Sequence, residues 1–194
     1  MTPSIRPTPV LPGTEPPGRR APGASAGQSG KRIRFGILTL SDRSSRGERA
    51  DASGPALANL IQGEGWSVVK QEVLPDDEPS IRELLISWTG SGEMDVILTT
   101  GGTGFSPRDV TPEATRAVIE RDAPGLAEAM RAASLKVTPH AMLSRIVTGI
   151  RGKTLIVNLP GSPKGAVENL QVIIPVLPHA VQLLHEDPAS ESTH

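Results

Sequence analysis

The sequence predicts an α/β fold of three layers, in which helices cover both faces of a mostly parallel central sheet with one antiparallel strand. Two observations predict it. Short apolar runs typical of buried strands alternate along the chain with segments whose apolar residues recur at helical spacing. Late in the chain, two apolar runs flank the short turn from Arg151 to Lys153, which predicts an antiparallel hairpin.

Five apolar runs are predicted to be strands. Each is short and strongly apolar, as expected of strands that are buried on both faces of a sheet. In chain order they extend from Arg34 to Leu40, Trp66 to Leu74, Asp95 to Thr100, Arg145 to Ile150 and Leu155 to Leu159.

The segments between these strands are predicted to be helices. Apolar residues at helical spacing place helices at Ala52 to Glu64, around Ile81 to Trp88 and at Gly125 to Leu135. Thr111 before Pro112 predicts a helix start in which the threonine hydroxyl caps the helix, and Ser162 before Pro163 predicts another. An apolar segment from Val172 to Leu184 closes the domain.

The predicted domain extends from residue 31 to residue 187. Residues 1–30 are dense in Pro, Gly, Ser and Arg and show no apolar periodicity, so we expect a disordered tail. Its arginines can contact an acidic partner, or the segment is only a solvated extension. Residues 188–194 are expected to form a short polar fray.

The composition argues against several classes of function. The 20 Lys and Arg against 21 Asp and Glu leave no positive excess for nucleic acid, and the chain has only four aromatic residues of the Phe and Trp types. The sequence has no cysteine, which excludes disulfides, thiolate metal sites and cysteine nucleophiles and fits the cytoplasm. No apolar run approaches about 20 residues, so we expect no membrane-spanning segment.

Glycines follow the third predicted strand, at the edge of the sheet where ligands gather in open α/β folds. Gly101, Gly102, Thr103 and Gly104 form a loop whose backbone can approach a ligand closely and present N–H groups to an anion. Such glycines also build ordinary turns, and both interpretations stand. The helix start after the loop favours the anion, because a helix N-terminus attracts negative charge.

Polar residues also follow the first and last predicted strands. They are Ser41, Asp42 and Arg43 after the first strand and Gly161, Ser162 and Lys164 after the last. Ser162 is sufficiently explained as a helix cap. Lys164 in the first turn of that helix is unfavourable for the helix dipole unless a negative group lies nearby, which favours a bound anion.

Two aspartates lie in loops that follow strands, Asp76 after the second strand and Asp109 in the Gly-rich loop beside Arg108. An aspartate at such a position is often only a turn former. If both converge on one cleft with the Gly-rich loop, they make a Mg²⁺ site, since Mg²⁺ takes one or two carboxylates together with substrate phosphates.

Several familiar nucleotide-binding and metal-binding motifs are incomplete or absent in this sequence. Gly152, Lys153 and Thr154 resemble the end of a phosphate-binding Walker loop, but Val147 stands where the upstream glycine is required and a strand follows. No GxGxxG pattern follows the first strand, which argues against a dinucleotide site. The four histidines show no metal-ligand spacing.

The Gly-rich loop and its flanks resemble the signature of the molybdenum-cofactor biosynthesis domain of MogA, MoaB and the G domain of gephyrin, in the sequence ILTTGGTGFSPRDVTPEAT. The likeness covers nearly everything from Arg32 to Glu186. It includes SDRSSRG, LPDDE, MLSRIVTGIRGKTLIVNLPGSPKG and LPHAVQLL. The SDR and LSR motifs are typical of the MogA and gephyrin branch.

The resemblance implies an enzyme that adenylylates molybdopterin: the terminal phosphate of molybdopterin attacks the α-phosphate of ATP, with Mg²⁺, and pyrophosphate leaves. It implies that Asp76 and Asp109 occupy the two functionally critical aspartate positions of the family. It further implies a cleft lined by Ser41, Asp42, the GGTG loop, Asn158, Ser162 and Lys164. A homotrimer is implied as well, and a molybdate-insertion protein is a candidate partner.

The chemistry agrees with these residues. Two polyanions repel each other, so catalysis must rely on positioning and positive potential, which loop amides, Arg43, Arg108, Lys164 and a metal can supply. We expect Asp109 to hold Mg²⁺ and Asp76 to assist or to orient the phosphates. Two other interpretations stand: a MoaB-like protein that binds the pterin without turnover, and another nucleotide-dependent transferase on the same scaffold.

Overall fold

The computed structural model describes residues 32–186, and six strands in this range form one sheet. The predicted tail and the predicted C-terminal fray lie outside the described residues. In chain order the strands are β1 (Arg34–Leu40), β2 (Ser67–Leu74), β3 (Val96–Thr100), β4 (Arg121–Asp122), β5 (Thr148–Arg151) and β6 (Thr154–Leu159).

The strands lie side by side in the order β2-β1-β3-β6-β5-β4. β1 pairs in parallel with β2 and β3, and β3 pairs in parallel with β6. β5 is antiparallel to both of its neighbours, β6 and β4, so the other five strands share one direction. The predicted mostly parallel sheet with one antiparallel strand is therefore confirmed, with the two-residue strand β4 as an unpredicted edge.

Seven α-helices lie between or after the strands within the described range. They are α1 (Asp42–Ser45), α2 (Ser53–Gly63), α3 (Glu78–Gly90), α4 (Thr111–Arg116), α5 (Pro124–Leu135), α6 (Pro163–Ile173) and α7 (Leu177–Leu184). Two 3-10 turns, Pro139–Leu143 and Ile174–Val176, precede β5 and α7. The predicted helices are present with small shifts at their ends, while the four-residue α1 was not predicted.

The core consists of two apolar clusters, one on each face of the sheet. Side chains of a strand alternate between them, because successive residues of a strand point to opposite faces. Phe35 and Ile37 of β1 pack in the cluster that contains residues of α2, α5, α6 and α7. Leu38 and Leu40 pack in the other cluster, with residues of α3 and α4. The predicted three layers follow from this alternation.

The stretch Pro163–Leu184, which contains α6, a 3-10 turn and α7, is 22 residues long with a mean hydropathy of 1.2. By length and composition alone it is able to cross a membrane, contrary to the expectation from the sequence that no stretch approaches this length. Its apolar residues Leu170, Ile173, Leu177 and Val181 are buried in the core. Only 28% of its most apolar window is buried, so the stretch forms amphipathic helices that pack one face against the core.

The site is placed by the strand order around β1. The chain runs from β1 to β2 on one side and then crosses to β3 on the other side, so β2 and β3 flank β1. Loops that leave the carboxyl ends of β1 and β3 therefore diverge from neighbouring positions and leave a crevice between them, the usual ligand position in this class of fold.

Candidate functional site

The three predicted polar loops meet at the carboxyl edge of the sheet. Thr100, the last residue of β3, donates its hydroxyl to the carbonyl of Pro160 after β6, at 2.7 Å. The amide of Ser41 after β1 donates to the carbonyl of Leu74 at the end of β2, at 2.9 Å. These two hydrogen bonds join the loop after β3 to the loop after β6, and the loop after β1 to the end of β2. The turn after β2 therefore lies at the same edge as the three loops.

Asp42 and Asp76 link the loops after β1 and β2. The amide of Asp42 donates to Oδ2 of Asp76 at 3.1 Å, and the amide of Asp76 donates to Oδ1 of Asp42 at 3.2 Å. Each carboxylate therefore binds the backbone of the other residue, and the two side chains are held at a fixed separation.

Arg108 of the Gly-rich loop closes the crevice from the other side. Its Nε lies 3.0 Å from Oδ2 of Asp42, and its Nη2 lies 2.8 Å from Oδ1. Arg108 holds the pKa of Asp42 below its ordinary value, mainly through these hydrogen bonds. The arginine predicted as a cation for the ligand therefore has an anionic partner in the protein.

The carboxylate of Asp76 carries a buried oxygen without a partner. Within the described residues, Oδ1 of Asp76 accepts no hydrogen bond. Burial raises the pKa of Asp76, and the negative charges of Asp42 and Asp109 raise it further. A methyl group placed on Gly102 would lie 2.9 Å from this oxygen, so the atom faces the Gly-rich loop.

The Gly-rich loop needs glycine at its first two positions. Gly101 has a φ of +106° and Gly102 a φ of +60°, a backbone region that side chains disfavour. A methyl group on Gly101 would lie 2.2 Å from the carbonyl oxygen of Leu40 in β1. Glycine here lets the loop cross directly over the end of β1.

Thr111 fixes this turn, and the prediction that its hydroxyl caps the following helix is wrong. The residue before α4 is Val110, which makes no side-chain capping bond. The buried hydroxyl of Thr111 instead donates to the carbonyl of Gly101 at 2.9 Å, and its amide donates to the carbonyl of Gly102 at 3.1 Å. The turn directs both carbonyls inward, where the hydroxyl and the amide of Thr111 donate hydrogen bonds to them.

Asp109 both forms a turn and faces the site. Its Oδ2 accepts the amide of Ser106 at 2.9 Å, and its amide donates to the carbonyl of Ser106 at 2.9 Å. Its negative charge contributes to the raised pKa of Asp76. A methyl group on Gly104 would lie 2.8 Å from Oδ2 of Asp109, so this carboxylate lies against the Gly-rich loop. The turn-forming and ligand-binding interpretations of Asp109 are therefore compatible.

The loop after β6 packs against the Gly-rich loop. A methyl group on Gly161 would lie 3.1 Å from the Cα atom of Gly101. Ser162 caps α6 by accepting the amide of Gly165 at 3.2 Å, as predicted. Lys164 lies 3.8 Å from Glu168 and is largely exposed. Glu168 is therefore the negative group near Lys164 that the sequence analysis expected a ligand to supply, and Lys164 remains accessible to solvent.

Asn158 is the one predicted lining residue that the structure moves away from the crevice. It is fully buried; its amide nitrogen donates to the hydroxyls of Thr99 and Thr115, at 2.9 and 2.8 Å. Its Oδ1 accepts the amide of Val147 at 3.1 Å. Because the Val147 amide is bound by the Asn158 side chain, it is not available for the hydrogen bonds between β5 and β6. Strand β5 therefore begins at Thr148, three residues later than predicted.

The comparisons with known proteins agree with this architecture. The family described as "probable molybdopterin binding domain" matches residues 36–179. The chain belongs to this family. The predicted resemblance to the molybdenum-cofactor biosynthesis proteins is thereby confirmed, and the crevice described above lies within the matched range.

Among relatives of the molybdopterin-binding family, gephyrin of Dictyostelium discoideum is 46% identical over an alignment of 165 positions that covers 80% of this chain and 23% of gephyrin. The chain thus spans about a quarter of that relative. Molybdopterin adenylyltransferase of Helicobacter pylori strain J99 is 41% identical over 78% of this chain and 88% of the enzyme. The crystal structure of MoaB, a molybdopterin biosynthesis enzyme of Thermus thermophilus, has a TM-score of 0.76 and 51% identity, covering 80% and 98%.

A cavity of about 310 Å³ opens beside the crevice of this family member. Its wall on the site side comprises residues of the loops after β3 and β6, and its opposite wall comprises α5 and the following 3-10 turn. The lining includes Thr103, Gly104, Ser162, Val137, Leu143 and Asn169. A larger cavity of about 850 Å³ lies between the β5–β6 turn and α7, and none of the predicted site residues lines it.

The residues present fit a divalent cation. The unpartnered Oδ1 of Asp76 and the Oδ2 of Asp109 both lie against the Gly-rich loop, beside Gly102 and Gly104, and offer oxygen ligands there. Between residues 32 and 186, no group of three or more His, Cys, Asp or Glu residues has metal-binding spacing. Two carboxylates, with the other positions left to phosphates and water, are what Mg²⁺ requires in phosphate-transfer sites.

The sequence predicts no role for Arg145, the last residue of the LSR motif. It lies between the 3-10 turn and β5, and its guanidinium contacts the carbonyls of Gly104 and Asp109. No periodicity or spacing argument finds such a residue, because it is about 40 residues distant in sequence from the loop it binds.

Proposed function

We propose that this protein catalyses the ATP- and Mg²⁺-dependent adenylylation of molybdopterin and releases pyrophosphate, which prepares the pterin for molybdate insertion. The observation that carries the proposal is the buried, unpartnered Oδ1 of Asp76, which faces the Gly-rich loop beside Asp109. A relative that bears the name of this activity is 41% identical over 78% of this chain.

The reaction balances without a dedicated general base. An oxygen of the terminal phosphate of molybdopterin attacks the α-phosphorus of ATP, a new P–O bond forms, and the bond to the pyrophosphate oxygen breaks. The phosphate oxygen is already ionised, so no proton must be removed. The protein has to hold two anions together and to stabilise the charge on the leaving pyrophosphate.

The crevice has the groups for this task. The amides of the loop that contains Gly102 and Thr103 supply partial positive charge. The exposed side chains of Arg43 in α1 and Lys164 in the first turn of α6 follow the ends of β1 and β6. Asp76 and Asp109 would hold Mg²⁺. When bound, the ion would neutralise phosphate charge and orient the α-phosphate.

The cavity of about 310 Å³ beside the loop is our proposed position for the pterin. It combines apolar residues, Val137 and Leu143, with the polar side chain of Asn169. A flat heterocycle with polar edges requires this mixture, because its faces need apolar contacts and its edges need hydrogen bonds. The cavity borders Ser162, so a phosphate attached to the pterin would reach the crevice.

A MoaB-like role, binding of the pterin without turnover, is the second candidate. It is favoured by one observation: the 51% identical solved structure bears the name MoaB. A different nucleotide-dependent transfer on the same scaffold is a third candidate. ATP consumption separates the candidates, because only the adenylyltransferase forms pyrophosphate in proportion to molybdopterin.

The decisive experiment is incubation of the purified protein with molybdopterin, ATP and Mg²⁺ under anaerobic conditions, followed by mass spectrometry. We expect one equivalent each of adenylylated molybdopterin and pyrophosphate per ATP consumed. A parallel reaction without molybdopterin controls for plain ATP hydrolysis. Tight pterin binding with no pyrophosphate would instead establish the MoaB-like role.

We further propose a homotrimer that works in the cytoplasm, with a molybdate-insertion protein as partner and with neither nucleic acid nor a membrane as ligand. The exposed apolar residues Val172, Val176 and Leu183 of the closing segment are available for contact between subunits. Light scattering at micromolar concentration tests the trimer, and a monomer would contradict it.

A further inference from the structure

Arg145 connects the two ends of the Gly-rich loop. Its Nε donates to the carbonyl of Gly104 at 2.7 Å, and its Nη2 donates to the carbonyl of Asp109 at 2.6 Å. Its backbone amide donates to the carbonyl of Thr103 at 3.0 Å. One residue thus binds the loop both before and after the exposed tip that contains Phe105 and Arg108.

The third guanidinium nitrogen, Nη1, donates to the carboxylate of Glu113 in α4. All three nitrogens of Arg145 are therefore engaged within the protein. The pair is half-buried, with 31% of the arginine side chain and 42% of the glutamate side chain exposed. A guanidinium that already makes these bonds is a structural clamp, in contrast to Arg43, whose side chain is exposed.

The clamp acts on the part of the loop that carries the chemistry. Asp109 depends on its backbone position to direct its carboxylate, and Gly104 belongs to the Gly-rich loop whose amides are proposed to bind phosphate. A planar guanidinium fixes both carbonyls at once, because its N–H groups point in set directions, which the rotatable ammonium of lysine does not provide. The distance between Gly104 and Asp109 is thereby set.

We infer that Arg145 is a positioning residue for adenylyl transfer: it holds the Gly-rich loop and the Asp109 carboxylate in reactive geometry without itself binding a substrate. This inference rests on the proposed function for its kinetic part. Its structural part, the immobilisation of the loop, can be measured without any substrate.

The test compares Arg145→Lys with a matched control, Arg151→Lys. Arg151 also donates to a backbone carbonyl, that of Val118, at 2.9 Å, and lies 3.6 Å from the carboxylate of Glu120. Its side chain is 32% exposed, close to the 31% of Arg145. It lies at the opposite edge of the sheet, where β5 turns into β6. Arg151→Lys therefore controls for the loss of similar arginine contacts far from the site.

In Arg145→Lys we expect amide hydrogen exchange of residues 103–109 to rise about tenfold in the protein without ligands, since the loop opens more often. We expect kcat to fall about ten- to a hundredfold while the KM for ATP changes less than about threefold, because misplacement of reacting groups acts on the transition state. Arg151→Lys should change neither quantity, and the melting temperatures of the two variants should be similar.

Two results would overturn the inference. Unchanged exchange of the loop amides would show that other contacts hold the loop, and a rise in KM with constant kcat would show that Arg145 binds substrate. The proposed function fails separately. If the wild-type protein forms no adenylylated pterin but the exchange of the loop rises in Arg145→Lys, the clamp stands and the assigned reaction is wrong.

Discussion

Asp42 and Asp76 exchange hydrogen bonds in both directions, each carboxylate accepting the backbone amide of the other residue. The exchange uses Oδ2 of Asp76 and leaves its Oδ1 buried and without a partner among the described residues. Arg108 neutralises Asp42, whereas the half-buried carboxylate of Asp76 has no cationic partner between residues 32 and 186 and is also subject to the negative charges of Asp42 and Asp109. In this pair, the charge of Asp42 is compensated by Arg108, whereas the charge of Asp76 is unfavourable in the protein without a bound cation. This imbalance is what a bound cation would remove.

Replacing Asp109 with Asn separates the turn-forming role from the ligand-binding role. The carbonyl oxygen of Asn can still accept the amide of Ser106, so we expect the melting temperature to stay within a few degrees of wild type. Loss of the charge that would hold Mg²⁺ should lower adenylyl transfer about a hundred- to a thousandfold, several kcal/mol in the transition state. Turnover and melting temperature are measured on the same preparation. Near-normal transfer would show that Asp109 is only a turn former.

Replacing Asp76 with Asn should affect function and stability differently. Its raised pKa means that the folded protein disfavours the charged carboxylate, so a neutral amide should leave the free energy of unfolding within about 1 kcal/mol of wild type or raise it. We expect transfer to fall about a hundredfold or more. Chemical denaturation and the pyrophosphate assay provide the two measurements.

The control for that variant is Asp77→Ala at the adjacent position. Asp77 caps α3 by accepting the amide of Ser80 at 3.0 Å and is exposed. Its loss should cost about 1 kcal/mol of stability and leave transfer unchanged. The reverse pattern, with Asp76→Asn unstable and active, would remove Asp76 from the candidate site.

Replacing Arg108 with Gln should raise the pKa of Asp42 toward the ordinary value for aspartate. The hydrogen bonds from Arg108 are the largest cause of its lowering, and the charge of Arg46 contributes less. NMR titration of the Asp42 side-chain carboxyl carbon measures this change. Arg46→Gln serves as the control and should produce a smaller rise. Equal effects of the two variants would show that the Arg108 contact does not persist in solution.

Replacing Asp95 with Asn should destabilise the protein in a pH-dependent way. Asp95 is fully buried and binds Arg34 and Nε2 of His185, at 2.8 and 2.9 Å. Burial alone would raise the pKa of Asp95, but these partners hold it below the ordinary value. The contribution of Asp95 to the free energy of unfolding is therefore fully present above the ordinary pKa and is lost as the pH falls through the lowered pKa. At pH 7 we expect a loss of about 2–3 kcal/mol.

Chemical denaturation of the wild-type protein and of Asp95→Asn between pH 3 and 7 tests this pH dependence. The difference in the free energy of unfolding should be constant in the upper part of this range and should shrink below about pH 4, where the unfolded aspartate becomes protonated. A difference that stays constant down to pH 3 would contradict the assignment of the charge to this contact.

The sequence by itself was enough to predict the alternation of strands and helices, the hairpin and the three loops at one edge of the sheet. These features depend on local periodicity, on glycine and on helix caps, which are properties of neighbouring residues. Ser162 is an example: its capping bond spans only three residues, and the prediction was confirmed.

Only the tertiary structure decided which of the candidate residues share a bond and which leave the site. Asn158 looked like a lining residue, yet it is buried beneath the loops and binds Thr99, Thr115 and Val147. Arg145 had no predicted role, yet it binds a loop that precedes it by about 40 residues. Contacts of this kind depend on how the strands are ordered and how closely the loops pack. Local sequence carries no record of those distances, because they arise only when the whole sheet has assembled.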